Sequence, residues 1–181
     1  MEIKKQKDIK KEVKELKEDA DSASEQLDKL AEYGEKLKAT FEALSGSATE
    51  EGDKALETSA QASQKDLDKK YIEAEKELEK VDEKLDEKQE DFEQGIEADQ
   101  KDLEILKPVA KEAKKVGADE SSIKQAEQGK QKEIEFLNEQ VQEIDETQVE
   151  LEKQANESRM RKENAKYNHR QRSNLRNTGK K

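Results

Sequence analysis

Apolar residues recur at alternating steps of four and three along most of this chain, and this spacing limits the possible folds more than any other feature. In the first segment the repeat is made by Ile9, Val13, Leu16, Ala20, Ala23, Leu27, Leu30, Leu37, Phe41 and Leu44. Gly34 fills the one position of the repeat without an apolar side chain. A heptad repeat places such residues in one stripe along an α-helix. The spacing predicts a long helix over residues 4–44.

Two further helices are predicted by similar repeats. The second repeat consists of Leu56, Ala60, Ser63, Leu67, Tyr71, Ala74, Leu78, Val81, Leu85, Phe92, Ile96, Leu103 and Leu106, and the third of Ile123, Ala126, Ile134, Leu137, Val141, Ile144, Leu151 and Ala155. Gly46 separates the first two repeats and Gly117 the last two. We expect helices over about 49–116, kinked at Pro108 because proline lacks the N–H group that a helix uses, and over about 120–170.

The composition excludes a thick globular core, because only 29% of the 181 residues are hydrophobic and 46% are charged. Long helices that bury a narrow stripe fit this composition. Short turns can join only neighbouring helix ends, so the prediction is an all-α fold: an elongated antiparallel coiled coil of three helices running up, down and up. Residues 1–158 form an acidic helical bundle in this interpretation. Residues 95–139 are expected to extend past the first helix as a two-helix tip, called the predicted tip below.

The most apolar window of the chain, residues 103–116, lies inside the predicted tip. Its apolar residues either pack on the third helix or remain available to a partner protein. The candidate partner-binding residues there are Leu103, Leu106, Pro108, Val109 and Val116.

Charge is divided unevenly along the chain. Residues 159–181, the basic tail, contain nine Lys or Arg and one acidic residue, Glu163, and carry +8. The preceding 158 residues therefore carry −19, the difference between the total of −11 and +8. We expect the tail to be partly disordered and to supply candidate binding residues for phosphates, an acidic protein or an anionic membrane surface. These are Arg159, Arg161, Lys162, Lys166, Tyr167, Arg170, Arg172 and Arg176.

The basic tail has a second interpretation within the chain itself. In the up-down-up register, residues 159–172 lie beside acidic stretches near 19–35 and 57–75, whose carboxylates they could neutralise. Nucleic acid is a disfavoured partner because an acidic body of −19 repels a duplex, and no nucleic-acid-binding motif is present. Homo-oligomerisation along the stripes remains open, because many stripe positions hold small or polar residues.

No catalytic constellation is visible in the sequence. The chain has no cysteine, and its one histidine, His169, lies in the hydrophilic tail, so neither thiol catalysis nor a Ser-His triad is indicated. No glycine-rich phosphate-binding loop is present. We expect no enzyme activity, no cofactor and no metal site.

The sequence shows neither a signal peptide nor a transmembrane segment. The default expectation is a cytoplasmic protein, and export without a signal peptide is not excluded by this pattern.

In composition and helical layout the chain is similar to phage scaffolding proteins, secretion-apparatus stalk proteins and small helical accessory proteins of type VII secretion. The last group has a W-x-G turn between its helices, where this chain has Leu44-Ser45-Gly46. The leading hypothesis is a non-enzymatic coiled-coil interaction protein, a structural adaptor, scaffold or chaperone-like partner. The alternatives are an accessory or substrate protein of a specialised secretion system, a phage scaffolding-like protein, or a nucleic-acid-binding protein acting through the basic tail.

Overall fold

The computed structural model describes residues 1–46 and 49–166, and 93% of these residues are helical. Helix α1 spans Ile3–Leu44, α2 spans Glu50–Lys115 and α3 spans Ser121–Asn164. The described residues contain no strand. The predicted all-α, up-down-up antiparallel arrangement of three helices is confirmed.

Gly117 ends α2 in the way the sequence predicts. Its φ of 69° lies in the left-handed region, where a residue with a Cβ is strained. The Ala118 N–H donates to the carbonyl of Ala113 at 2.9 Å, and the Gly117 N–H donates to the carbonyl of Lys114 at 3.3 Å. This pair of hydrogen bonds is a Schellman motif, which satisfies carbonyls left free at the helix end and reverses the chain toward α3.

Side-chain caps start α2 and α3. The Thr49 hydroxyl accepts a hydrogen bond from the Gly52 N–H at 3.1 Å, which makes Thr49 the N-cap of α2. The Asp119 carboxylate accepts hydrogen bonds from the backbone N–H and the hydroxyl of Ser121. These hydrogen bonds lower the pKa of Asp119, because they stabilise its charged form.

The chain divides into two compact units, and each contains a stretch of all three helices. The first unit comprises Met1–Ala20 and Lys80–Glu150. Its buried hydrophobic residues are Val13, Ala20, Leu85, Phe92, Phe136, Leu137 and Ile144. Lys17 lies 4.0 Å from Glu143, and Gln148 donates to Asp82 at 3.1 Å. The Met1 amino group also contacts Glu133, so α3 runs parallel to α1 in this unit. Lys130 contacts Asp99 while Gln148 contacts Asp82, so α3 runs antiparallel to α2.

The second unit comprises Asp21–Glu79 and the chain from Leu151 onward. Its core contains a cluster of Leu27, Tyr71, Ala74 and Ala155, with Leu30 and Leu78 packed against it. Many of the other buried residues are alanines, among them Ala23, Ala31, Ala60 and Ala165. Small side chains let helices approach closely, so this unit combines a few large buried groups with close helix packing.

One helix boundary differs from the sequence-based prediction. Helix α3 ends at Asn164 and Ala165 lies in a turn, so the helix stops short of residue 170. The apolar repeat has already ended at Ala155, which leaves the following turns with less apolar surface to bury. Pro108 lies within α2, which is helical on both sides of it. Because proline has no N–H, it cannot supply the hydrogen bond that the Glu104 carbonyl would receive in a regular helix.

Gly34 has a packing role in the second unit. A Cβ atom at this position would lie 3.0 Å from Cδ2 of Leu67, a residue that is only 1% exposed. The α1 repeat has a glycine here because the Leu67 side chain packs closely against the helix, and not because the chain turns. Gly129 in α3 gives the opposite case, because a Cβ there would meet nothing within 4 Å.

Replacing these two glycines by alanine should change stability in opposite directions. Gly129→Ala should raise the free energy of unfolding by about 1 kcal/mol, because alanine favours the helix over glycine. Gly34→Ala should lower it by roughly 1 kcal/mol or more, because buried Leu67 has little room to move. Urea unfolding followed by circular dichroism measures both, and equal stabilisation by the two substitutions would contradict the packing role of Gly34.

Candidate functional site

The first basic residues of the tail are paired with carboxylates of the second unit. Arg159 donates two hydrogen bonds to the Glu75 carboxylate, at 3.1 and 3.0 Å. Arg161 donates to Glu35 at 2.8 and 3.2 Å and also contacts Asp28. Hydrogen bonding to Arg161 lowers the pKa of Glu35. These residues therefore belong to the folded unit, as the intrachain interpretation of the tail predicts.

Lys162 is the most deeply buried of the candidate cations that the structure describes, with 9% of the residue exposed. Its ammonium group lies 2.8 Å from the Asp68 carboxylate and 4.8 Å from the centre of the Tyr71 ring. Burial raises the pKa of Asp68, but hydrogen bonds from Lys162 and Gln64 outweigh it, and the pKa is lowered overall. The ion pair and the cation–π contact together anchor α3 to α2 in this unit.

The remaining tail candidates divide into one described residue and four that lie outside the described part. Lys166 pairs with Glu163 at 3.0 Å, and hydrogen bonding to Glu163 raises the pKa of Lys166. Tyr167, Arg170, Arg172 and Arg176 lie outside the described residues. Their role in partner binding stays a prediction.

Tyr71 is a buried residue whose polar atom has no partner. Only 2% of the residue is exposed, and its hydroxyl makes no hydrogen bond to a described group. Burial, and then the negative charge of Glu75, raise the pKa of this hydroxyl to about 12. Tyr71 is therefore neutral at physiological pH, and its hydroxyl group carries a desolvation penalty in the fold.

The tip candidates fall into two groups by exposure. Leu103 and Leu106 are half-buried in the first unit, whereas Pro108, Val109 and Val116 are exposed. Ile105, which the sequence analysis did not select, is 65% exposed. It lies off the α2 repeat, and its spacing of four from Val109 is the signal that would have identified it.

Ile105 and Val109 of α2 line up with Val116, which follows the last residue of the helix and still donates its N–H to the Glu112 carbonyl at 3.1 Å. These three residues are called the outer stripe below. At 100° per residue their positions fall within an arc of about 40°. Val109 is 48% exposed and Val116 is 72% exposed. Three large apolar side chains on one exposed helix face form the clearest apolar surface feature of the first unit.

A charged cluster lies nearby in the same unit. Lys130 of α3 contacts Asp99 at 2.8 Å and Asp102 at 3.0 Å, and both carboxylates are on α2. Asp99 is 6% exposed, whereas the side chains of Lys130 and Asp102 are 33% and 51% exposed, so the cluster is buried only at Asp99. Hydrogen bonds from the two carboxylates raise the pKa of Lys130, which stays charged at physiological pH. From residue 100 to residue 135 no residue is fully buried.

The described residues contain neither a candidate metal site nor a candidate membrane-spanning helix. No group of three or more His, Asp or Glu side chains within them is arranged to hold a metal ion. No helix among them has the length and apolarity required to cross a membrane.

Comparison with known proteins gives no relative: no protein family, no curated protein and no solved structure matches this chain.

The unpartnered hydroxyl of Tyr71 leads to a test of stability. Tyr71→Phe should raise the free energy of unfolding by about 1 kcal/mol, because it removes a buried polar atom without a partner. Tyr33→Phe is a matched control, since Tyr33 is 49% exposed and its hydroxyl can bind water. Thermal unfolding measures both variants. A loss of stability confined to Tyr71→Phe would show that its hydroxyl has a stabilising partner.

The lowered pKa values of Glu35 and Asp68 predict a dependence of stability on pH. Both groups have a lower pKa in the folded chain than when unfolded, so their pairing stabilises the fold above about pH 4. This contribution is lost as the pH falls through the folded-state pKa values. The variant Glu35→Gln/Asp68→Asn should therefore lose less stability than wild type between pH 7 and pH 3. Urea midpoints at both pH values measure this difference, and an identical decline would contradict it.

Proposed function

We propose that this chain is a non-enzymatic interaction protein, a structural adaptor or chaperone-like partner, and that it binds another protein through the outer stripe. The observation that carries the proposal is the exposure of Ile105 and Val109 on one face of α2 and of Val116 directly after the helix end. Their own unit does not cover them, and burial against a partner would be favourable.

The spacing of the outer stripe favours a helical partner. Positions separated by four and eleven residues repeat along one side of a helix, which is the pattern of anchors that packs against a second helix. Glu112 lies at the intervening position of the same line. A partner helix with a cation opposite Glu112 and apolar residues on both sides would match this surface.

The charge around the outer stripe also supports a binding role. Residues 100–130 contain seven Lys and six Asp or Glu, a net charge of +1 in a chain of −11. An acidic partner is therefore not repelled at this surface, whereas it would be repelled by most of the chain. Binding here is expected to depend on apolar burial and to change little with salt.

The basic tail is the weaker candidate surface. Arg159, Arg161 and Lys162 already pair with carboxylates of their own unit, so binding to an acidic partner would have to break these contacts. The interpretations as a secretion accessory protein, a phage scaffolding-like protein or a nucleic-acid-binding protein remain hypotheses from composition.

Substitution within the outer stripe tests the proposal. Ile105→Lys/Val109→Lys should reduce partner capture from the native cell at least tenfold, because a charged group opposes burial of this surface. Val149→Lys is the matched control, since Val149 is 67% exposed on α3 of the same unit. The Val149→Lys variant should capture as much of the partner protein as wild type does. Affinity isolation with quantitative mass spectrometry measures the amount of partner captured by wild type and by the two variants.

Two further measurements separate the possible surfaces. A photo-crosslinking residue at Val109 should label the captured protein, and the same residue at Val149 should not. Capture that survives substitution of the outer stripe but disappears at high salt, or on removal of residues 167–181, would instead assign binding to the basic tail. If the Val149→Lys control also loses capture of the partner, the claim that binding is specific to the outer stripe is contradicted.

A further inference from the structure

A groove runs between α1 and α3 in the second unit. Each helix contributes four residues at the same relative spacing, beginning with Asp21 on α1 and Gln154 on α3. Residues spaced by three, four and seven share one side of a helix, so the two sets face each other along the groove. Its volume is about 450 Å³, within the range of small-molecule sites. We call it the α1–α3 groove.

Two serines line the groove where a packed helix pair would ordinarily place apolar residues. Ser24 is 5% exposed and Ser158 is 3% exposed. Neither hydroxyl makes a hydrogen bond to a group in the described part of the chain, although both border the groove. Neither hydroxyl oxygen is among the fully buried side-chain atoms without a partner, so each reaches the open space of the groove, where water or a bound group can form a hydrogen bond with it. The two serines therefore point to an occupant of the groove that can form hydrogen bonds.

The carboxylates of the groove differ in whether they are already paired. Asp28 contacts Arg161, and Glu25 lies 3.2 Å from Lys29. Asp21 and Glu157 have no ion pair with any described residue. The unpaired carboxylates thus lie at least one helical turn from Arg161, which occupies one end of the groove. The occupant should carry a positive charge, placed beside Asp21 and Glu157.

We propose that the α1–α3 groove binds a primary alkylammonium group. An ammonium group has three N–H donors, and the groove supplies acceptors of two kinds in the free carboxylates and the serine hydroxyls. Its alkyl chain can lie along the groove, which spans seven residues on each helix, or about 10 Å. The arrangement does not suit a metal ion, since no three acidic groups converge in the described part of the chain. This site is independent of the outer stripe.

Such a group could come from a free diamine or from a lysine side chain of another protein. Isothermal titration of the full chain at 150 mM salt with putrescine tests the first source, and titration with Nα-acetyl-lysine methylamide tests the second. The ligand that binds more tightly identifies the source. Tetramethylammonium, which has the same charge but no N–H donor, should bind at least tenfold more weakly than the better ligand.

Two variants test whether binding takes place at this groove. Asp21→Asn/Glu157→Gln should weaken binding at least tenfold. Glu73→Gln/Glu152→Gln removes the same charge from exposed positions outside the groove and should leave binding unchanged. Ser158→Val should also weaken binding, because it removes one of the two hydroxyl acceptors without a change in charge. Circular dichroism establishes that each variant remains helical.

Three results would overturn the proposal. One is the absence of binding to either amine at millimolar concentration. Another is an equal loss of affinity in the two charge variants, which would assign binding to general attraction by a chain of −11. The third is equal affinity for tetramethylammonium, which would remove the role of the hydrogen-bond acceptors.

Discussion

The fold depends on mutual burial of three narrow apolar stripes. No helix here has enough apolar surface to persist by itself, because each carries charge on most of its circumference. In each unit the stripes of α1, α2 and α3 cover one another, and the largest side chains at less than 2% exposure are a few residues such as Tyr71, Leu27 and Leu85. Every other feature, including the ion pairs and the groove, is built on the rim of these small cores. A loss of packing in one stripe therefore exposes the other two.

Ion pairs between helices supplement this limited apolar burial. Lys88 pairs with Glu12 and Lys17 with Glu143 in the first unit, while Lys162 pairs with Asp68 in the second. Exposed pairs each contribute little, about 0 to 1 kcal/mol, but they specify which helix faces which. Lys162 has a larger role because it is buried against Tyr71. The basic start of the tail thus helps to fix the register of α3 in its unit.

The apolar repeat predicted the helices well because burial in a thin bundle follows periodicity closely. Val13, Leu27, Leu67 and Ile144 were all assigned to stripes and are all nearly inaccessible. The repeat failed to predict burial at positions where packing against an adjacent helix determines which side chains are covered. Phe136 lies beside the predicted stripe position Leu137 and is buried with it, and Ala126 occupies a stripe position but is exposed. The register predicted that residues 159–172 meet the acidic stretch 57–75, but not that Lys162 would contact Asp68 and Tyr71 in particular. The α1–α3 groove could not be predicted either, because it depends on contacts between residues far apart in sequence.

The contact between the Met1 amino group and Glu133 joins residues 132 positions apart, whereas the turn at Gly117 joins α2 to α3 through neighbouring residues. Contacts between close residues form faster, so the α2–α3 hairpin has a kinetic advantage over the docking of α1. During synthesis the order is reversed, because α1 emerges first and must await α3. At ordinary translation rates this interval is on the order of 10 s. The dense charge of α1 then acts as protection against aggregation while its apolar stripe is uncovered.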